Sequence, residues 1–268
     1  MNVTNFSQKN MLLAIDVGNS NIVFGIYKDE QWLNVWRTVT YTQKSAIDYE
    51  VILRNYFLEA GLKISEIYKV VLSSVVPSLT EVLRQTVIHL CDQEPILVNA
   101  EIYPELKIGI HNPYEIGADL VANAIAAVHR FPNNHCVVVD FGTALTFTTI
   151  SKNKEILGVA IGLGLQTAVR ALAQNTAKLP EVPLELPLSP IGKNTTQAIQ
   201  AGVLLGYVGA VPFILRQIED ELGEKCKVIA TGGLSSILTP LRDSFDQIDM
   251  LLTLDGLRLI GENVNIKN

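Results

Sequence analysis

Cysteine, basic runs and the commonest catalytic loops are all scarce in this sequence, and each shortage narrows what the protein is. Cys91, Cys136 and Cys226 lie far apart, without a Cys-x-x-Cys pair, so they read as small buried hydrophobes rather than disulfide partners. A reducing, cytoplasmic setting is the expectation that follows. The four histidines, His89, His111, His129 and His135, show no spacing suited to zinc. Lys and Arg number 21 against 27 Asp and Glu, giving a formal net charge of −6 without any long basic run. A nucleic-acid partner, which requires a concentrated basic face, is therefore not expected. The first apolar run is too short and too polar-flanked for a secretion signal. No stretch is expected to approach the roughly 20 apolar residues that span a bilayer, so no membrane partner is expected either. Neither a Gly-x-Ser-x-Gly elbow nor a Gly-x-x-x-x-Gly-Lys-Ser/Thr loop occurs, which disfavours an α/β-hydrolase and a P-loop kinase.

What is present is ample apolar material in periodic segments: 268 residues, 48% of them hydrophobic, enough for one large domain or two modest ones. Met11–Ile15 and Asn21–Tyr27 read as a hairpin around a turn-like Asp16-Val17-Gly18-Asn19-Ser20, with Gln31–Thr38 as a third strand. Ala46–Ala60 carries Ile47, Val51, Leu53 and Leu58 at helical spacing and stops near Gly61. A buried strand over Lys69–Val76, a helix over Leu79–Leu90 and a strand over Pro95–Val98 follow. Gly117–Phe131, rich in alanine, reads as a closely packed helix. Beyond the strands Cys136–Val139 and Leu145–Ser151 come a Gly-rich stretch, a helix over Gln166–Leu179 and a loop with four prolines between Pro180 and Pro190. One or two helices over Thr195–Leu222, a strand over Val228–Ala230 and a last helix over Leu254–Asn263 complete the reading.

The most informative feature is a recurrence. Asp16-x-Gly18-Asn19-Ser20 and Asp140-x-Gly142-Thr143-Ala144 occupy the same place in two strand–turn–strand units, 124 residues apart from 16 to 140. Internal repetition implies two α/β domains of similar build facing each other, joined near residues 115–135. Glycine in a tight turn aims backbone N–H groups at an anion. Asn19, Ser20 and Thr143 add side-chain donors. A carboxylate beside such a nest makes sense with a cation between it and the phosphate, which casts Asp16 and Asp140 as cation-organising groups. Either turn alone could equally be a plain Asp-Gly hairpin cap; two copies at corresponding strand ends favour a nucleotide cleft. Thr231-Gly232-Gly233 either lets backbone approach a base or ribose or is an ordinary turn. Asp119, in the first turn of its helix, suits the helix dipole, and from spacing alone that reading prevails over a general base.

With these residues in view, the chain resembles the type III pantothenate kinases of the acetate-kinase/sugar-kinase/Hsp70/actin superfamily. The resemblance spans Met11 to Gly261 and is carried by several ordered motifs. These are Asp16-Val17-Gly18-Asn19-Ser20, Ser74-Val75-Val76-Pro77, Asn112-Pro113-x-Glu115-Ile116-Gly117-Ala118-Asp119 and Asp140-Phe141-Gly142-Thr143-Ala144. Asn175-Thr176-Ala177-x-Leu179-Pro180, Ile191-Gly192-Lys193-Asn194-Thr195 and Thr231-Gly232-Gly233 complete the set. It implies an α/β fold of two similar ribonuclease-H-like, actin-like domains, residues 1–125 and 126–268, with a nucleotide cleft between them. The implied activity is ATP-dependent phosphorylation of pantothenate to 4′-phosphopantothenate, the first step towards coenzyme A, with Mg²⁺ and a potassium or ammonium ion. By the same resemblance Asp119 is the general base, and Asp16, Val17, Gly18, Asn19, Ser20, Asn21, Ile22 and Val23 line the ATP phosphates. Thr143 touches ATP and Asp140 binds the monovalent cation. Gly117, Ala118, Asp119, Leu120 and Thr195 meet pantothenate. A homodimer is implied, and whether Thr195 serves its own pocket or its neighbour's stays open.

The chain departs from the family pattern at four places. Leu120 stands where Arg is usual, Ile110 where Tyr is usual, Leu163-Gly164 where Pro-Gly is usual, and Thr148 where an acidic residue is common. Leucine cannot replace a guanidinium fork on a carboxylate, a loss of roughly 1.5–3 kcal/mol, or about ten- to a hundredfold in affinity. Leu120 and Ile110 motivate an alternative: a non-catalytic or regulatory sister that binds nucleotide or a coenzyme A precursor. A kinase for another small hydroxylated acceptor is a third reading.

Overall fold

The computed structural model describes residues 10–233, 235 and 237–264. In chain order the first elements are β1 (Met11–Val17), β2 (Asn21–Lys28), β3 (Gln31–Val39), α1 (Ala46–Glu59), β4 (Ile67–Ser74) and α2 (Pro77–Cys91). β5 (Ile96–Leu97), β6 (Gly109–Ile110), α3 (Ala118–Arg130), β7 (Cys136–Phe141), β8 (Ala144–Ile150) and β9 (Glu155–Leu163) follow. The rest comprises α4 (Leu165–Gln174), α5 (Thr195–Gln200), α6 (Gly206–Leu222), β10 (Lys227–Thr231), β11 (Gln247–Ile248) and α7 (Leu252–Asn263). These elements form two compact units. The described part of the first holds residues 10–108, 112–126 and 253–264, and the second holds 109–111 and 127–252. The final segment thus groups with the first unit, whereas a simple division into 1–125 and 126–268 puts it in the second.

The repetition read from the turns extends to whole sheets. The first unit orders its strands β3-β2-β1-β4-β5, and the second orders them β11-β10-β7-β8-β9-β6. Read from the third strand of each hairpin outward, both run antiparallel, antiparallel, parallel, parallel. β9 is the counterpart of β3; its glycines hid it as a strand in the sequence. β5 falls within the strand expected over Pro95–Val98, whereas the two-residue strands β6 and β11 give too little periodicity to register.

Alternation along β1 divides the first unit's core. Met11, Leu13, Ile15 and Val17 pack with Ile22, Phe24, Leu72, α1 and α2, while Leu12, Ala14 and Asp16 face the other way. On that second face a Cβ on Gly261 of α7 would lie 2.6 Å from Val71 and 2.9 Å from Leu12. Lys69 of β4 reaches the carbonyl of Gly261, Nζ to O 2.6 Å, neutralising the helix C-terminus. α3 lies against α7: Gly256 meets the backbone of Ala122 so closely that no Cβ fits. Thr253 Oγ1 donates to Asn123 Oδ1 at 2.9 Å.

α1 forms where its spacing places it, but its buried face is not the expected one. Tyr49, Leu53 and Phe57 are buried, whereas Ile47, Val51 and Leu58 are exposed. Two aromatic rings at i and i+8 offer more burial area than the aliphatic set, and they win the core side. Ser45 closes the helix N-terminus with a capping box to Asp48.

In the second unit Val137, Val139, Phe141, Leu145 and Phe147 pack against α4 and the helical run 195–222. That run is continuous, with a π-helical segment at Ala201–Leu205 between α5 and α6. It is long and apolar enough, by length and composition, to cross a membrane, which corrects the expectation that no stretch approaches this. Its Leu204, Val211 and Leu215 are buried in the unit's own core. The opposite sheet face carries Cys136, Val138 and Asp140, with Cys136 Sγ near the carbonyls of Ala127, Phe131 and Asn134. Cys136 and Cys226 are buried, and burial pushes their thiols up to about 12 and about 11, so both are inert packing groups, while Cys91 is partly buried.

Candidate active site

Each unit carries a glycine-led turn at the corresponding strand ends, the first one residue longer than the second. In the first, Gly18 N–H donates to the carbonyl of Asn21 at 3.0 Å; in the second, Gly142 N–H donates to that of Ala144 at 3.1 Å. The glycine amides therefore close the turns themselves. The residues that follow, Asn19 and Ser20 in one turn and Thr143 in the other, are exposed. Val17 and Ile22 have fully buried side chains, so any phosphate contact from them is through backbone. Asn21 and Val23 are half-buried at the start of β2.

A threonine beyond the third strand clamps each turn. Thr40 Oγ1 donates to Gly18 O at 2.7 Å and its N–H to Ser20 O at 3.1 Å. Thr167 Oγ1 donates to Thr143 O at 2.7 Å, and Gly164 N–H reaches the same oxygen at 3.1 Å. Gly164 also approaches Gly142 O too closely to carry a side chain. Neither threonine stood out in the sequence, because their partners lie in turns 22 and 24 residues away.

Asp119 sits in the first turn of α3 beside the first unit's turn. Its Oδ1 accepts from Leu120 N–H at 2.8 Å. A Cβ on Gly117 would lie 2.5 Å from that Oδ1 and 3.5 Å from Cγ1 of Val75, and Val75 N–H donates to Val17 O at 3.0 Å. A short chain of contacts thus runs from the carboxylate through Gly117 and Val75 to the strand end that bears the Gly18 turn. Gly117 is glycine because Asp119 needs that room. Burial raises the Asp119 carboxyl above the usual range, partly opposed by the N–H groups of Leu120 and of Asp119 itself.

Tyr103, which no sequence signal picked out, is buried, and its phenol is pushed up to about 12 by burial, with the charge of Asp119 adding to it. Ala118 is buried and Leu120 half-buried. Ile110 is paired into the second unit's sheet opposite Ile156, and Tyr114 is 90% exposed, so it packs against nothing. Asp16 ends β1 opposite Ser73 of β4.

In the second unit Asp140 ends β7, with Oδ1 3.5 Å from where a Cβ on Gly142 would lie and tight against Gly232, whose φ is +88°. Thr195 is exposed at the start of α5, where Asn194 caps the helix by accepting from Gln197 N–H at 2.9 Å. With Pro183, Glu185, Thr196, Gln197 and Gln200 it lines an open hollow.

Residues 12–217 match the model of the family described as type III pantothenate kinase. The chain is 42% identical to a type III pantothenate kinase of Moorella thermoacetica over 94% of its own length and 99% of that protein's. It is 43% identical to one of Anaeromyxobacter dehalogenans, with the same coverage. Among solved structures it is similar to MreB 5 of Spiroplasma citri bound to AMPPNP, with TM-score 0.56, 9% identity and 95% and 97% of the two chains covered. It is also similar to a ROK hexokinase from Thermus thermophilus, with TM-score 0.51, 13% identity and coverage of 94% and 98%. These structural likenesses are of fold alone, and the shared fold is the actin-like α/β one.

Proposed function

The chain belongs to the type III pantothenate kinase family, and we propose how its own residues carry out phosphoryl transfer from ATP to pantothenate. Asp119 accepts the proton of the primary hydroxyl, that oxygen attacks the γ-phosphorus, and ADP leaves with the electron pair of the broken bond. The observation that carries this is the contact chain from Asp119 through Gly117 and Val75 to the strand end that bears the phosphate turn. The amides of Asn19 and Ser20, held by Thr40, stabilise negative charge on the phosphates. Thr143 contacts ATP. Gly117, Ala118 and Leu120 shape the acceptor pocket, and Thr195 binds pantothenate.

Asp16 fits the role of a lone carboxylate for Mg²⁺, which takes one or two protein carboxylates and otherwise phosphates and water. Among the described residues no group of three acidic, His or Cys side chains could hold a divalent ion alone. Asp140, closed in by the backbone of Gly232, fits a potassium or ammonium ion. When bound, these cations supply charge neutralisation on the phosphates.

Pantothenate-dependent ADP formation with Mg²⁺, with product mass confirming 4′-phosphopantothenate, tests this reading; ADP formation that ignores pantothenate would refute it. The acceptor side makes its own prediction. Leu120 offers no charge to a carboxylate, so Leu120→Arg lowers the KM for pantothenate by about tenfold or more with kcat little changed. An unchanged KM would place the acceptor carboxylate elsewhere.

A cytoplasmic homodimer completes the proposal. Ile161 and Leu163 of β9 and Phe213 of α6 are exposed apolar side chains of the second unit. They lie on the strand and helix that line a mostly apolar cavity of about 330 Å³, a surface suited to a second copy. Phe213→Asp combined with Ile161→Asp is expected to sediment as a monomer while keeping native circular dichroism. A dimer surviving both changes would move the interface.

A further inference from the structure

Three oxygen-bearing side chains stand in one row across the second unit's sheet. Thr231 of β10 and Thr146 of β8 both lie opposite Asp140 of β7 in the strand register. Opposite residues project to the same face with Cβ atoms about 5 Å apart. Thr231 is 2% exposed and Thr146 9%, and Thr146 Oγ1 is buried with no hydrogen-bond partner. A buried hydroxyl left unpaired calls for a reason, because a valine of the same shape avoids its desolvation cost.

Gly232 closes the same spot. A Cβ there would overlap Asp140 Oδ1 and lie 2.7 Å from the backbone N and C of Phe141. One carboxylate among neutral oxygens carries a single negative charge, which suits a monovalent ion better than a divalent one. We propose that the Thr146 hydroxyl, together with that of Thr231, completes the oxygen site in which Asp140 holds a potassium or ammonium ion. This rests on the assignment of the cation to Asp140 above. Thr148 is also buried and unpartnered, but it lies opposite Val138 and has no carboxylate across from it.

Thr146→Val tests the idea, read by melting temperature in KCl against choline chloride at equal ionic strength and by thallium-205 NMR titration. In choline the variant melts at or above wild type, since an unpaired hydroxyl has been removed. Its affinity for the monovalent ion falls at least tenfold, whereas Thr146→Ser stays within threefold of wild type. Asp140→Asn loses the response altogether. If Thr146→Val binds like wild type while Asp140→Asn does not, the hydroxyl is no ligand and the Asp140 assignment stands. If Asp140→Asn also responds like wild type, the ion sits elsewhere and the inference falls with its premise.

Discussion

Asp119→Asn is expected to lower kcat by about 10²–10⁴-fold, the range a positioned general base contributes, while ATP still binds when measured by calorimetry. The amide keeps the size of the side chain and can still accept from Leu120 N–H, so the start of α3 holds its shape. What it loses is the ability to take a proton. The same change should raise the melting temperature at neutral pH. Burial holds the Asp119 carboxyl above its unfolded value, so at neutral pH the native state carries an ionised group in poor solvent. This group's contribution to stability grows as pH falls through the raised folded pKa and levels off below the unfolded pKa of about 3.9. Asparagine carries no such penalty. A variant both slower and more stable separates a catalytic role from a structural one; a variant with intact turnover removes Asp119 from the chemistry.

Gly256→Val is expected to cost about 3 kcal/mol or more and to take activity with it. The glycine lies in α7 where the backbone of Ala122 in α3 leaves no room for a Cβ, so a branched side chain must push the helices apart. Ala122 and Asn123 are three and four positions beyond Asp119, on the same face of α3. Thr253 holds Asn123 from the α7 side. Separating the helices therefore moves the carboxylate away from Gly117 and Val75. Urea unfolding, with turnover measured well below the transition, gives both effects. A variant as stable as wild type would show that α3 is not seated by this contact.

Much of this was legible in the residues. The paired Asp-x-Gly turns foretold a duplicated hairpin, and the structure extends the duplication to β3 with β9 and to the parallel strands beyond. The strength of that signal comes from local chemistry: a two-residue side-chain period and a turn that needs glycine declare themselves without tertiary information. Contacts between distant segments were invisible. Thr40 and Thr167 clamp the turns from beyond a third strand, Tyr103 feels the charge of Asp119 from a different loop, and Gly256 matters only because α3 passes it. The buried face of α1 was misread for the same reason, since which stripe turns inward is decided by the sheet it meets. From spacing alone Asp119 looked like a dipole-favoured aspartate; the family resemblance cast it as the general base, and its burial and the Gly117 contact depend on tertiary structure.

The most direct test of the account is the pH dependence of kcat/KM for pantothenate in the wild-type enzyme, with stability checked across the same range. A buried base predicts an acid limb of unit slope lying above the ordinary aspartate range, set by one deprotonation in the free enzyme. A rate that stays flat down to the pH of acid unfolding would contradict the claim that the Asp119 carboxylate takes the proton.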